Sequence, residues 1–160
     1  MKFVLLLFFL LLSTKSFSLS IKCKFEEVYS DKSIQHGFML LKENSLRYQY
    51  YDNQLFTIVH KNNNSFVVRN DNKSIIQKLK KEEYFIEDLM KLLKDYPNLK
   101  KNYQSNGYNI KLENSSLSNF YKRIAVSGEN LNLSIYFNDC ETYDAPDHYF
   151  NHNPLSEYIF

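Results

Sequence analysis

Leu41-Lys42-Glu43-Asn44-Ser45-Leu46-Arg47-Tyr48-Gln49-Tyr50 is the stretch on which the fold turns. Leu46, Tyr48 and Tyr50 alternate with Arg47, Gln49 and Tyr51, the period of two that sends successive side chains to opposite faces of a strand. Glu43-Asn44-Ser45 interrupts the pattern with turn residues, and Gln35 to Lys42 before it reads as the partner strand. A β-hairpin with one apolar face is the unit on which the rest is built.

The same alternation runs outward in both directions. Ile21 to Tyr29 reads as a strand that ends in the turn Ser30-Asp31-Lys32. Downstream, Asp52-Asn53 turns the chain into Leu55 to His60, and Lys61 to Asn64 turns it again. Ser65 to Arg69 and Ser74 to Leu79 follow as strands, and Tyr108 to Glu113 and Phe120 to Ser127 resume the pattern later. Gly128-Glu129-Asn130 makes a hairpin turn into a face of Leu131, Leu133, Ile135 and Phe137, opposite Asn132, Ser134 and Tyr136. Tyr149-Phe150, ahead of Asn151 to Pro154, reads as a short closing strand.

Between the two groups of strands the period changes. Phe85, Ile86, Leu89, Met90 and Leu93 recur at three and four positions from Glu83 to Asp95, which predicts an amphipathic helix ended by Pro97. Tyr96 to Tyr103 reads as an irregular turn. The order predicts a mainly β chain, a single strongly bent antiparallel sheet with a helix against its concave side.

Residues 1–20 read as a secretory signal. Met1-Lys2 leads an apolar run from Phe3 to Leu12 and a small, polar stretch from Ser13 to Ser20. The run falls short of the roughly 20 residues that a spanning helix needs. Cleavage is expected after Ser18 or Ser20, leaving one domain over residues 21–160. Cys23 follows Ser20-Ile21-Lys22, which is not a lipid-attachment signal, so the exported chain is expected to be soluble and not lipid-anchored. With Lys2 and Lys15 removed, 18 of the 20 basic residues face 18 acidic ones. That balance provides no global field for nucleic acid or an anionic membrane. Asn, Lys, Ile, Tyr and Phe dominate as in an AT-rich genome, and the apolar share suffices for a core.

Cys23 and Cys140 are the two cysteines. In an oxidising compartment they can pair and tie the two ends of the domain together, the alternative being two buried thiols.

The sequence presents no catalytic constellation and no glycine-rich phosphate loop, so an enzyme is not expected. His148 and His152 have a spacing that binds metal on a helix, but their segment reads as extended. His36 and His60 are lone imidazoles on strands. Asp139, Glu141, Asp144 and Asp147 lack the glycine and spacing of a calcium loop and read as a solvated turn. No metal and no cofactor are expected. The sequons at Asn63, Asn72, Asn114 and Asn132 are those of an Asn-rich chain.

The apolar faces are the constructive feature. Leu46, Tyr48, Tyr50, Leu133, Ile135 and Phe137 can line the trough of an unclosed barrel, with Phe85, Leu89 and Met90 covering it. A filled core is the competing reading.

Gly37 to Arg69, and above all Leu41 to Tyr50 followed by Ile58-Val59 and Phe66-Val67, resembles the LolA family of periplasmic lipoprotein carriers. The helix at Phe85 to Leu93, the late strands from Lys122 to Phe137 and the ending Phe150 to Pro154 stand in the family's order. The resemblance implies an incomplete antiparallel β-barrel, a half-barrel with a helical lid on its concave face. It implies a soluble periplasmic carrier and chaperone that binds the acyl chains of lipoproteins and shuttles them from the inner to the outer membrane. An inner-membrane ABC transporter, an outer-membrane acceptor and the acylated lipoprotein are the implied partners of a monomer that binds no nucleic acid. The lipid-binding set is then Leu46, Tyr48, Tyr50, Phe85, Leu89, Met90, Leu133, Ile135 and Phe137.

Lys42-Glu43 stands where the family has Arg-Pro, so Lys42 falls to lid control without the planar fork of a guanidinium. Asn62-Asn63 replaces an Asp-Gly turn, and Tyr48 and Phe66 stand at positions often held by Trp. The alternative from another class is a non-enzymatic structural or interaction protein of the cell envelope with a filled core.

Overall fold

The computed structural model describes residues 20–62, 64–78, 92, 101–105, 107–118, 120–129 and 131–152. Ten strands run in chain order: β1 (Ser20–Tyr29), β2 (Ile34–Lys42), β3 (Ser45–Tyr50), β4 (Phe56–Lys61), β5 (Asn64–Arg69), β6 (Ile75–Lys78), β7 (Asn102–Ser105), β8 (Tyr108–Asn114), β9 (Tyr121–Ser127) and β10 (Asn132–Thr142). They form one open antiparallel sheet in the order β6-β5-β4-β3-β2-β1-β10-β9-β8-β7. The protein is therefore mainly β, as the alternation predicts.

Two meanders, β1 to β6 and β7 to β10, share the sheet, and β1 and β10 join them at its centre. The edges, β6 and β7, are consecutive in sequence, so residues 79–101 connect opposite sides of the sheet. Within that connection Leu92 is helical and buried in the same cluster as Met39, Tyr48 and Ile135. Leu92 thus lies against the face that carries those residues. The rest of the helix expected over Glu83 to Asp95, including Phe85, Leu89 and Met90, lies outside the described residues. So do residues 1–19, which hold most of the expected signal segment.

Two expectations are corrected. Asn102–Ser105, which overlaps the last two residues of the stretch Tyr96 to Tyr103 read as an irregular turn, is a strand pairing with β8 through Asn102↔Lys111 and Ser105↔Tyr108. Tyr149-Phe150 does not close the sheet as a strand; Asp147–Phe150 is a 3-10 turn following Pro146. Its reason is local: the backbone N–H of Tyr149 bonds to the carbonyl of Pro146, while the carbonyls of Tyr149 and Asn151 accept from Arg47.

The sheet has two covered faces. On one, Cys23, Phe25, Met39, Leu46, Tyr48, Tyr50, Ile58, Ile110, Leu112, Ile124, Leu133 and Ile135 form one core. On the other, Phe38 and Leu40 pack against Ala145 and Phe150 of the segment 143–152 that follows β10. Hence β2, β3 and β4 carry continuous buried runs, Gly37 to Leu41, Leu46 to Tyr50 and Thr57 to His60.

A bulge at the centre of the sheet decides the cysteines. Strict alternation from Phe137 would turn Cys140 away from the face of Cys23. Lys22 pairs with Glu141 and Lys24 with Asn138, so β10 carries one extra residue there. Asp139 takes φ +50° and is turned outward to Lys24, at 2.9 Å, which returns Cys140 to the face of Cys23. The two sulfurs are bonded, closing a separation of 117 residues.

Candidate functional site

Strand register places a carboxylate inside the apolar face. Along β1, Ile21, Cys23, Phe25, Glu27 and Tyr29 share one side by the period of two. Glu27 pairs with Gln35 of β2 and Ile135 of β10 and is only 4 % exposed. Burying a charge without hydrogen bonds is costly, and here three phenols supply them. Tyr48 donates to Oε1 at 2.7 Å, and Tyr50 and Tyr29 donate to Oε2 at 2.7 and 2.6 Å.

The strands explain the convergence. Tyr48 pairs with Met39 and Tyr50 with Gly37, so both rings rise from β3 across β2 towards β1. Tyr29 lies two residues beyond Glu27 on the same strand and the same side. Desolvation raises the phenol of Tyr29 to about 12, and the Glu27 charge pushes in the same direction. Burial, with Glu27 again adding to it, holds Tyr48 and Tyr50 well above the ordinary range. All three phenols therefore stay protonated and act as donors.

Aromatic packing completes the cluster. Phe25 stacks on Tyr48 with centroids 3.9 Å apart and meets Tyr50 edge-on at 5.4 Å. Tyr50 in turn meets Phe56 edge-on at 5.1 Å. Such edge-to-face and offset pairs stabilise beyond their buried area by roughly 0.5–1.5 kcal/mol each.

Of the lipid-binding residues read from the sequence, Leu46, Tyr48, Tyr50, Leu133, Ile135 and Phe137 come together in this one core. Phe85, Leu89 and Met90 lie outside the described residues. Glu27 and Tyr29 were not singled out by sequence reasoning. The usable signal was their parity with Cys23 and Phe25 on β1, which puts a glutamate on an apolar face.

Lys42 sits on the other face. Its Nζ lies 2.8 Å from Asp144 and 3.4 Å from Asp147, and it donates to the carbonyl of Ala145 at 3.0 Å. The bond to Asp144, the largest influence, raises its pKa. Its described partners thus belong to the segment after β10. Arg47, on the same face, is fully buried and donates to Gln49 at 2.8 Å, to the carbonyl of Asn151 at 2.7 Å and to that of Tyr149. Desolvation lowers its guanidinium to about 10, which still leaves it charged at neutral pH. Glu43 turns at φ +50°, a value closed to proline, whose ring fixes φ near about −65°.

The acidic residues near β10 separate into ion pairs: Glu141 with Lys22 at 2.6 Å, Asp139 with Lys24, and Asp144 and Asp147 with Lys42. His60 shares a hydrogen bond with Ser65 at 2.8 Å, and His152 packs on Phe66. A cavity of about 420 Å³ opens beside Ile21, Ser115 to Ser118, Cys140 and Glu141, and neither Glu27 nor the three phenols line it.

No family model matches the sequence, and no curated protein matches it.

Proposed function

We propose that the chain is a non-enzymatic carrier of acyl chains, working in the periplasm as LolA-like proteins do. The observation that supports this best is topological. One connection, residues 79–101, runs between the two edges of an open sheet and lays Leu92 into an apolar face built by both meanders. Leu92 belongs to none of the strands, so its withdrawal leaves the described strand pairs intact. The opposite face is closed separately by the segment 143–152, so it stays covered while the first one opens.

In this reading the sheet is a half-barrel and the helix over Glu83 to Asp95 is its lid, with Phe85, Leu89 and Met90 facing Leu46, Tyr48, Tyr50, Leu133, Ile135 and Phe137. Acyl chains displace the lid and take its apolar contacts, each buried CH₂ contributing about 0.8 kcal/mol. Aromatic and methionine side chains make a lining of low specificity, suited to release as well as capture. The cargo is an acylated lipoprotein, received from an inner-membrane transporter and passed to an outer-membrane acceptor.

The test is titration of the exported protein with a triacylated peptide, followed by calorimetry. Leu89→Asp is expected to weaken binding at least tenfold, as burying a charge against acyl chains demands, while the far-ultraviolet spectrum of the sheet is kept.

A second reading has its own support. Phe25 and Tyr48 stack closely, and Met39, Leu46 and Ile135 are wholly buried, which is how a filled core packs. A folded protein that ignores the triacylated peptide is then a structural or interaction element of the cell envelope.

A further inference from the structure

We infer that Glu27, Tyr29, Tyr48 and Tyr50 form a receptor for the ammonium head of an apolar ligand, an inference that rests on the carrier reading. The starting point is a buried anion that stability alone does not explain. A leucine at position 27 would fill the same place without desolvating a charge. No lysine, arginine or histidine pairs with Glu27 among the described residues; its partners are the three phenols.

Counting hydrogens gives the specificity. Each phenol has one hydrogen, and each gives it to the carboxylate. What the cluster still offers a ligand is acceptor capacity only: phenol oxygen lone pairs, and a second site on Oε1, which takes one bond where Oε2 takes two. A carboxylate or phosphate head finds no donor there and meets a like charge. An ammonium finds acceptors, an opposite charge in a poorly solvated place, and the rings of Phe25, Tyr48 and Tyr50 to interact with.

The layout suits an amphiphile. Glu27 and Tyr29 mark one end of the apolar side of β1, and Leu133, Ile135 and Phe137 lie beside them in register on β10. A chain running along that face places its head at the glutamate. The ligand class is therefore an acyl or alkyl chain bearing a protonated amine, either the free amino group of an acylated peptide or the headgroup of an ethanolamine lipid. An acyl chain ending in a carboxylate is disfavoured.

Titrations of the exported protein with dodecylammonium, dodecyl maltoside and dodecanoate, each below its micelle concentration, test this. Dodecylammonium is expected to bind at least about tenfold more tightly than the maltoside, the size of a charge-assisted hydrogen bond, with dodecanoate weakest. Glu27→Gln is expected to erase the preference for dodecylammonium over the maltoside, and a preference kept at its full size in the folded variant overturns the proposal. Should that variant not fold, Tyr29→Phe frees an acceptor site on Oε2, and the preference is expected to rise about threefold; a preference that does not rise overturns the proposal. Equal affinity for the three heads overturns the ammonium site and leaves the carrier reading standing, whereas no binding of any of them overturns both. Competition against dodecylammonium by a diacylated peptide with a free amino terminus, or by a short-chain phosphatidylethanolamine, identifies the source of the head, and competition by neither overturns the assignment.

Discussion

The ring of Phe25 lies where a side chain on Gly37 would be: a Cβ there would fall 2.3 Å from Cζ of Phe25 and 2.1 Å from the carbonyl oxygen of Gln49. The two residues face each other across β1 and β2. The bare backbone at Gly37 lets Phe25 lie flat and stack on Tyr48, which in turn holds Glu27. Gly37→Ala is expected to destabilise the fold by about 3 kcal/mol, at the upper end of overpacking effects because one clash is with backbone. Thermal melts and the near-ultraviolet signal of the ring stack measure it; a variant that melts with the wild type removes Gly37 from this role.

Alkaline titration probes the phenols. Folding raises Tyr29 from 10.0 to about 12 and raises Tyr48 and Tyr50 further in the same direction. Groups with raised folded values contribute stability that is complete below pH 10 and lost as pH climbs through the folded value. Arg47, lowered from 12.5 to about 10, acts in the opposite direction over the same range, one group against three. Stability is therefore expected to hold to about pH 10 and fall between 10 and 12. Tyrosinate absorbance should show Tyr48 and Tyr50 ionising only as the protein unfolds, and early ionisation of all thirteen tyrosines would contradict the burial.

Arg47 fastens the segment after β10 to the sheet. Replacing it with methionine leaves the carbonyls of Tyr149 and Asn151 and the amide oxygen of Gln49 without this donor. The cost is expected to be on the order of 3 kcal/mol, offset in part by the desolvation no longer incurred. Hydrogen exchange locates the effect: the amides of Tyr149 and Asn151 should lose protection while those of β1 and β10 keep theirs. Unchanged protection at Tyr149 would mean that the apolar packing of Ala145 and Phe150 and the Lys42 contacts hold the segment without Arg47.

The disulfide closes a long loop. Entropy of closure alone is worth about 4–5 kcal/mol for a separation of 117 residues. Reduction, or replacement of both cysteines by alanine, is expected to lower the denaturant midpoint accordingly without changing the fold. Asp139→Val, which puts a β-branched residue at φ +50°, should slow oxidative refolding because the bulge aligns Cys140. Oxidation at the wild-type rate would show that the bulge is not what brings the sulfurs together.

Much of this architecture is legible in the residues. Leu46, Tyr48 and Tyr50 face one way and Arg47 and Gln49 the other, as their alternation implies. Alternation assigns sides but not what covers them, so nothing in Arg47 announces that a distant segment will bury it. Asn102–Ser105 carries too few apolar residues to show a period and is a strand because β8 offers a partner. Glu27 was visible as a parity, yet its value depends on three phenols from two strands, and Tyr48 and Tyr50 both lie more than twenty positions away. The bulge at Asp139 leaves no periodic trace, although the pairing of Cys23 with Cys140 depends on it.

The central position of the β1–β10 seam also sets an order of events. β1 can pair with β2 as soon as that hairpin has been made, but its other edge waits for Asn132–Thr142, more than a hundred residues later. Until then the middle of the sheet is an open edge on a half-finished chain, the exposure most prone to join another molecule. The core on the Glu27 face shares residues from both meanders and cannot consolidate before that seam zips. A chain that emerges in order is thereby kept loose until Asn132–Thr142 is available, and the arrival of that one strand converts two separate meanders into a single sheet.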